Sequence, residues 1–390
     1  MTLGAHTVAA AATAGASGTA GRSAAIPLAL IMAGGTGGHV FPALALAREL
    51  RARRWRVVWL GTRLGLESRL VPAEHIEIEW LSVGGLRGKG WLIWLSAPLR
   101  LTRALLQALA VIRRRQPSLV VGLGGFVAGP GGMAAWLLRR PLLIHEQNAV
   151  AGFTNRCLSH FARLVLTAFP DSFRRDVGAR VIGNPVRSEI ALLPAPPQRF
   201  AARGPGVRLL VLGGSQGAAR LNAIVPYALA RLTATLNIEV RHQSGTRWFE
   251  VAQRNYEQAG VTARLQPFID DMAEAYGWAD LVICRAGALT VSELAAAGVG
   301  SILVPFPAAT DDHQTRNAAF LVGEGAAIMI AERDLSAEGL AEQLATLCSG
   351  RGRLIAMAER ARALAKPRAA QDLADACVEL VQGERNGVAA

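Results

Sequence analysis

A hydrophobic run that breaks into a diglycine turn occurs twice, as LALIMAGGTGG at residues 28–38 and as VRLLVLGGSQG at 207–217, about 180 residues apart. An apolar run of this kind reads as a buried parallel strand. Glycines directly after it let backbone N–H groups approach a phosphate at the N-terminus of the next helix. One such turn is weak evidence; two constrain the chain to a duplicated α/β architecture with a ligand held between the halves.

The length of 390 residues suits two domains of ordinary size. Strand-like runs at 28–33, 56–60, 119–123, 142–145 and 164–168 alternate with helical stretches, which is the pattern of a parallel α/β sheet. From Val181 the sequence turns to GNPVRSEIALLPAPPQRFAARGPG, whose prolines and glycines read as a linker. The alternation resumes at 209–212, 238–242, 281–284, 301–304 and 327–330. The expected division is a disordered tail at 1–25, a first domain at 26–186 and a second at 187–365, with a last helix at about 366–387 crossing back to the first.

A net charge of +13 invites a nucleic-acid reading, but lysine occurs only at Lys89 and Lys366, and no basic stripe with interleaved aromatics accompanies the arginines. No nucleic-acid partner is therefore expected, and an anionic membrane surface fits the charge better. Cys157, Cys284, Cys348 and Cys377 are widely spaced, so they read as small buried residues rather than a zinc site or disulfide framework. The first 25 residues lack the basic start and compact apolar stretch of a secretory signal.

The glycine turns exclude two common chemistries. A dinucleotide fold wants G-x-G-x-x-G and an acidic residue closing its second strand. GGTGGHVF lacks the last glycine and RVVWLGT ends without Asp or Glu, while GGSQGAAR breaks the spacing and its next strand runs into Arg241 and His242. No G-K-S or G-K-T is present for a Walker A loop.

What remains is a two-domain α/β protein with three glycine clusters, at 34–39, 124–132 and 213–218. In order, GGTGGHVFPALALA, GLRGKG, HEQNAVAGFTNR, GNPVR, GGSQGA, FIDDMAEAY and CRAGALTVSELAAAG resemble the MurG family over about residues 28–360. The resemblance implies a GT-B fold, two Rossmann-like parallel-sheet domains facing across a cleft. It implies transfer of GlcNAc from UDP-GlcNAc to the C4 hydroxyl of the muramoyl sugar of lipid I, with inversion, to give lipid II for peptidoglycan. A GT-B transferase with another acceptor, a UDP-sugar epimerase and a non-catalytic nucleotide-binding protein are the competing readings.

Inverting transfer needs the departing diphosphate neutralised, a proton removed from the attacking hydroxyl, and both sugars oriented. No D-x-D is present to hold a metal, and Asp270-Asp271 and Asp311-Asp312 are adjacent pairs that would point to opposite faces of a strand. No metal or other cofactor is expected, so backbone amides and arginine should meet the charge. By the resemblance, Ser215 in GGSQGA and Arg187 in GNPVR contact the diphosphate. The nucleotide lies along Ala288, Leu289, Thr290, Val291, Ser292 and Glu293, with Glu293 on the ribose; Ile269 reads uracil through its backbone and Gln314 bonds the GlcNAc hydroxyls. Where the family usually shows two glutamines, His313 precedes Gln314. Thr36, Gly37 and Gly38 face donor and acceptor, Asn148 orients a sugar, and GGFVAGPGG holds the acceptor's diphosphate.

Two residues compete for the base. His39 stands at a helix N-terminus, whose positive potential favours a neutral imidazole. Glu146 in HEQN is its rival. Plainer roles stand beside each reading: a helix cap for His39, a solvated linker residue for Arg187, a dipole partner for Glu293, and a tight turn for GGFVAGPGG.

In residues 88–115, Leu101, Leu105, Leu109 and Ile112 share one helix face, while no run reaches the roughly 18 apolar residues that span a bilayer. Trp91, Leu92, Ile93 and Trp94, loop-like and beside Lys89, suit contact with a membrane interface. The expected location is peripheral, on the cytoplasmic face of the bacterial inner membrane, with cell-wall synthesis proteins as further partners.

Overall fold

The computed structural model describes residues 26–82, 91–214, 217–309 and 312–387, and of these only the backbone at 91–97 and 385–387. Among them, β1 (Leu28–Met32), β2 (Arg56–Gly61), β3 (Glu77–Trp80), β4 (Leu119–Gly122), β5 (Leu142–Glu146), β6 (Leu164–Thr167) and β7 (Arg180–Val181) form one sheet in the order β3-β2-β1-β4-β5-β6-β7. The second sheet takes β8 (Val207–Leu212), β9 (Ile238–Gln243), β10 (Arg264–Gln266), β11 (Leu281–Cys284), β12 (Gly300–Leu303) and β13 (Ala327–Met329) in the order β10-β9-β8-β11-β12-β13. Every pairing in both sheets is parallel.

The order reverses between β1 and β4 in the first sheet and between β8 and β11 in the second. At such a reversal the following segments leave toward opposite faces, and a crevice opens at the carboxyl ends of the strands. The three glycine clusters follow β1, β4 and β8, so topology alone carries them to the two crevices.

The central strands are legible because they are covered on both faces; all five residues of β1 are buried. The three strands missing from the sequence reading, β3, β7 and β10, all lie at sheet edges. Their sequences EIEW, RV and RLQ carry charge because one side of the strand meets water.

The linker is more regular than expected. Ser188–Ala191 and Pro196–Ala201 are short helices, and prolines fill the first positions of the second, where no intrahelical N–H is needed. Arginines fasten this segment to the second domain through backbone carbonyls. Arg199 donates to Ala297 O at 2.6 Å and to Gly298 O at a helix C-terminus, Arg203 to Gly277 O at 2.7 Å, and Arg362 to Ala191 O at 3.1 Å and Leu193 O at 3.2 Å. Arg203 also pairs with buried Asp280 at 2.8 Å. Part of the basic excess is thus internal scaffolding.

The helix Ala369–Gly387 packs on the first domain, where Leu373, Ala374 and Cys377 share a core with Val40, Leu44 and Ala47. Cys284, Cys348 and Cys377 are buried, but Cys157 is exposed, against expectation. It lies in the short helix Phe153–Leu158, which buries Asn155 and Leu158 instead.

Candidate active site

The helix Gly37–Ala52 starts at the end of β1, with exposed Thr36 at its N-cap in extended conformation and making no side-chain cap. Beneath this turn, fully buried Glu67 accepts Gly35 N–H at 3.0 Å, Thr62 N–H at 3.0 Å and the Thr62 hydroxyl at 2.7 Å. The first glycine loop is therefore pinned by a carboxylate that sequence reasoning missed. The second loop presses on it: Gly125 has φ +82°, and a Cβ there would lie 2.4 Å from Gly34 O. Gly124, at φ +101°, lets the half-buried His39 ring lie flat, since a Cβ would stand 2.7 Å from its Cε1 and Nδ1.

Not all of GGFVAGPGG is available to a ligand. A Cβ at Gly131 would meet Met32 Sδ at 2.2 Å, and one at Gly132 would meet Leu158 at 2.7 Å. These two glycines seat the helix Ala128–Leu137 against β1 and its neighbour helix, so the packing role wins for the second half of the motif.

His39 Nδ1 lies 2.8 Å from Gln147 Oε1. Gln147 Nε2 lies 3.1 Å from both the carbonyl oxygen and Nδ1 of His145, whose Nε2 is 2.9 Å from Gly183 O. Gln147 was absent from the expected site, although two-residue alternation past the end of β5 aligns it with His145.

Glu146, the rival base, is held within its own loop. Its carboxylate is buried, with Oε1 accepting Asn148 N–H at 2.9 Å and Asn148 Nδ2 at 3.1 Å, and Oε2 accepting Gly152 N–H at 3.1 Å and Asn155 Nδ2 at 2.8 Å. Four N–H donors occupy both oxygens, so Glu146 shapes the 147–152 loop.

That loop also joins the two halves. Asn317 accepts Ala149 N–H at 2.8 Å and donates to Asn148 Oδ1 at 3.4 Å and Ala286 O at 3.2 Å. Asn184 Nδ2 is 3.0 Å from both Gln147 O and Ser292 Oγ. Asn317 and Asn184 were not foreseen; asparagine in a helix interior or beside a proline looks unremarkable until the halves face each other.

In the second domain the helix Ala288–Ala297 begins after β11 with Gly287 at its N-cap. Ala288 and Val291 are buried, while Leu289, Thr290 and Ser292 are half-buried. Glu293 is the sixth helix residue and lies past the first turn, which removes the helix-dipole role. Its Oε1 accepts from Arg187 Nη2 at 2.8 Å and Nε at 3.2 Å, and Oε2 accepts from the Tyr276 hydroxyl at 3.3 Å. Two residues expected to hold diphosphate and ribose separately are thus brought together as an ion pair. Burial pushes the Glu293 carboxyl above its ordinary value, and the Arg187 guanidinium works against that rise.

Gln314 Oε1 accepts Phe306 N–H at 2.9 Å and Ala286 N–H at 3.3 Å, which fixes the orientation of its amide group. Ile269 is buried just before Asp271, which caps the helix Met272–Trp278 by accepting Glu274 N–H. The adjacent aspartates are therefore at a helix start rather than on a strand. Among the described residues no group of three or more His, Cys, Asp or Glu assembles that could hold a metal ion. Ser215 lies outside the described residues, and the loop around it is bounded by Gly214 at φ +73° and Gly217 at φ +75°.

Trp91 to Trp94 belong to a helix, Trp91–Arg115, rather than a loop; their side chains lie outside the described part. This helix packs through Ala104, Ala108, Val111 and Ile112. Of the face shared by Leu101, Leu105, Leu109 and Ile112, only Ile112 is fully buried; Leu101 is exposed, as are Leu99 and Leu106. Among the described residues no helix is long and apolar enough to cross a membrane.

Residues 29–167 match the N-terminal domain and residues 208–373 the C-terminal domain of glycosyltransferase family 28. The chain is 55% identical over 354 residues to the UDP-N-acetylglucosamine–N-acetylmuramyl-(pentapeptide) pyrophosphoryl-undecaprenol N-acetylglucosamine transferase of Marinobacter nauticus, covering 91% of this chain and 98% of that protein. The protein of the same name from Nitrosococcus oceani is 56% identical, with 91% and 99% covered. The crystal structure of Acinetobacter baumannii MurG superposes with a TM-score of 0.80 at 41% identity, covering 92% of this chain and 99% of that one.

Proposed function

The chain belongs to the MurG family of glycosyltransferase family 28, and from that membership we propose how its own residues carry the transfer. The enzyme moves GlcNAc from UDP-GlcNAc to the C4 hydroxyl of the muramoyl sugar of lipid I, giving lipid II for peptidoglycan. In our reading His39 takes the proton of that hydroxyl as its oxygen attacks C1 of GlcNAc. The C1–O bond to the diphosphate breaks on the opposite face, its electron pair leaves with UDP, and the configuration inverts. His39 then releases the proton to water.

The observation that carries this assignment is the pair of touching glycine loops, which holds the His39 ring against Gly124 while all four Glu146 contacts are taken. Thr36, Gly37 and Gly38 face the cleft from the same turn. On the donor side the helix starting at Ala288 and the GGSQG turn with Ser215 supply N–H groups to the nucleotide and diphosphate. Arg187 adds the cation, and Glu293 holds it in place before reaching the ribose. Ile269 borders the uracil, while Asn148 and the Gln314 amide nitrogen address the sugar.

With UDP-GlcNAc as substrate and the charge met by amides and arginine, transfer should persist in EDTA. Labelled UDP-GlcNAc incubated with and without a lipid I analogue tests this. Label should reach the lipid only when acceptor is present, and chelator should leave the rate unchanged. Donor turnover without acceptor would favour an epimerase, and UDP binding without transfer a scaffold.

The lipid acceptor requires access to a membrane, and we assign the contact to the first domain. Exposed Leu99 and Leu106 on the helix Trp91–Arg115, and Trp136 and Leu137 on the helix Ala128–Leu137 packed beside it, are interspersed with exposed Arg100, Arg103 and Arg139. Apolar side chains among arginines suit an anionic interface. In this reading the enzyme lies peripherally on the cytoplasmic face of the inner membrane, with cell-wall synthesis proteins as further partners. Replacing Trp91, Leu92, Ile93 and Trp94 together with serine should release the protein from acidic vesicles; unchanged co-sedimentation would defeat the assignment.

A further inference from the structure

We propose that Gln147 is a positioning residue for the transfer, fixing His39, with His145 behind it, in the tautomer whose Nε2 carries no proton. The inference rests on His39 as the base. Each link is a choice between donor and acceptor with only one solution. The Gly183 carbonyl can only accept, so His145 Nε2, 2.9 Å away, carries a proton. His145 is fully buried, which pushes its pKa down to about 4, and a neutral ring has no second proton. Its Nδ1 is therefore an acceptor. The Gln147 atom 3.1 Å from that Nδ1 is also 3.1 Å from the His145 carbonyl oxygen. Facing two acceptors, it must be the amide nitrogen.

The amide oxygen is then the atom 2.8 Å from His39 Nδ1, and it can only accept. His39 Nδ1 holds the proton, and the lone pair sits on Nε2. When Nε2 takes the proton of the sugar hydroxyl, the imidazolium keeps its Nδ1–H on the same amide oxygen, so no group rearranges during the step. The relay is anchored outside the first domain as well, because Asn184 Nδ2 meets Gln147 O and Ser292 Oγ at 3.0 Å each. Sequence alone does not predict this chain of contacts, since Gln147 and His145 acquire their roles only through Gly183, which returns from 36 residues beyond Gln147.

A histidine held in the wrong tautomer cannot accept, and in a serine protease that loss is worth about 10⁴ in kcat. Gln147→Met keeps the length and removes the acceptor, so it should lower kcat roughly 10- to 100-fold, a part of the full value of a general base. KM for UDP-GlcNAc should stay within about twofold, which a loosened cleft would not allow. The direct readout is ¹⁵N NMR of the ring nitrogens in ¹⁵N-histidine-labelled full-length enzyme at neutral pH, with His39 assigned by comparison with His39→Gln. We expect a pyrrole-like Nδ1 and a pyridine-like Nε2 in the wild type, and proton density on Nε2 in Gln147→Met. A protonated Nε2 in the wild type overturns the proposal even if the variant fails to fold. So does a variant whose kcat is unchanged, whatever its tautomer. Failure of the underlying reading looks different: full activity in His39→Ala, with the wild-type tautomer as described, removes His39 as the base and leaves the hydrogen-bonded relay standing.

Discussion

His39→Ala should lower kcat by roughly 10²–10⁴-fold, the range a positioned general base supplies. In the proposed mechanism the imidazole offers Nε2 to the substrate proton, because Nδ1 is committed to Gln147 and the ring rests on Gly124. Glu146 stands between His145 and Gln147 in sequence, but its four N–H partners hold both oxygens, and the loop they shape would have to open before it could take a proton. With the donor held mainly by the other domain, as proposed, UDP affinity by calorimetry should be unchanged and the loss should appear in kcat. A steady-state assay with saturating lipid I analogue decides it. A kcat lowered by less than tenfold would move the role of base elsewhere.

How much of this was legible in the sequence follows from what each residue answers to. The buried strands announce themselves as continuous apolar runs, and the glycine turns after β1, β4 and β8 mark the crevices, so the fold and the positions of the loops were readable. The edge strands were not, because half their environment is water. Ordered motifs fixed the family and with it the candidate residues. Partnerships were out of reach: nothing local in RAGALTVSELAAAG says that Glu293 lies opposite Arg187, 106 residues earlier, nor that Tyr276 completes its shell. Glu67 illustrates the same limit. A glutamate at the start of a short helix reads as a solvated dipole partner, yet three donors from two turns converge on it and bury it completely. Buried polar groups are specified by what must satisfy them, and that information is spread over the whole chain.

Arg187→Ala should cost roughly 2–4 kcal/mol of transition-state stabilisation, the loss expected when a preorganised donor to a developing anion is removed. At about 1.4 kcal/mol per decade this is on the order of 30- to 1,000-fold in kcat/KM. Without ligand, two N–H groups of the guanidinium are held by Glu293, so the cation is preorganised rather than free in solvent. Arg187→Lys keeps the charge and loses the planar fork, and should recover only part of the activity. The same substitution has a signature in stability that separates it from a purely catalytic effect. Burial already raises the Glu293 carboxyl and Arg187 opposes the rise, so removing Arg187 raises it further. A carboxyl whose pKa is raised on folding binds more proton in the native state, and its contribution is present below its unfolded value and lost as pH climbs through the folded one. The destabilisation of Arg187→Ala relative to wild type should therefore be small at mildly acid pH and grow toward neutrality, and Glu293→Gln in the same chain should flatten that slope. Thermal melts across this window measure it, alongside kcat/KM with lipid I analogue. Wild-type-like kcat/KM would remove Arg187 from the diphosphate, and a pH-independent stability difference would show that Glu293 does not titrate against it.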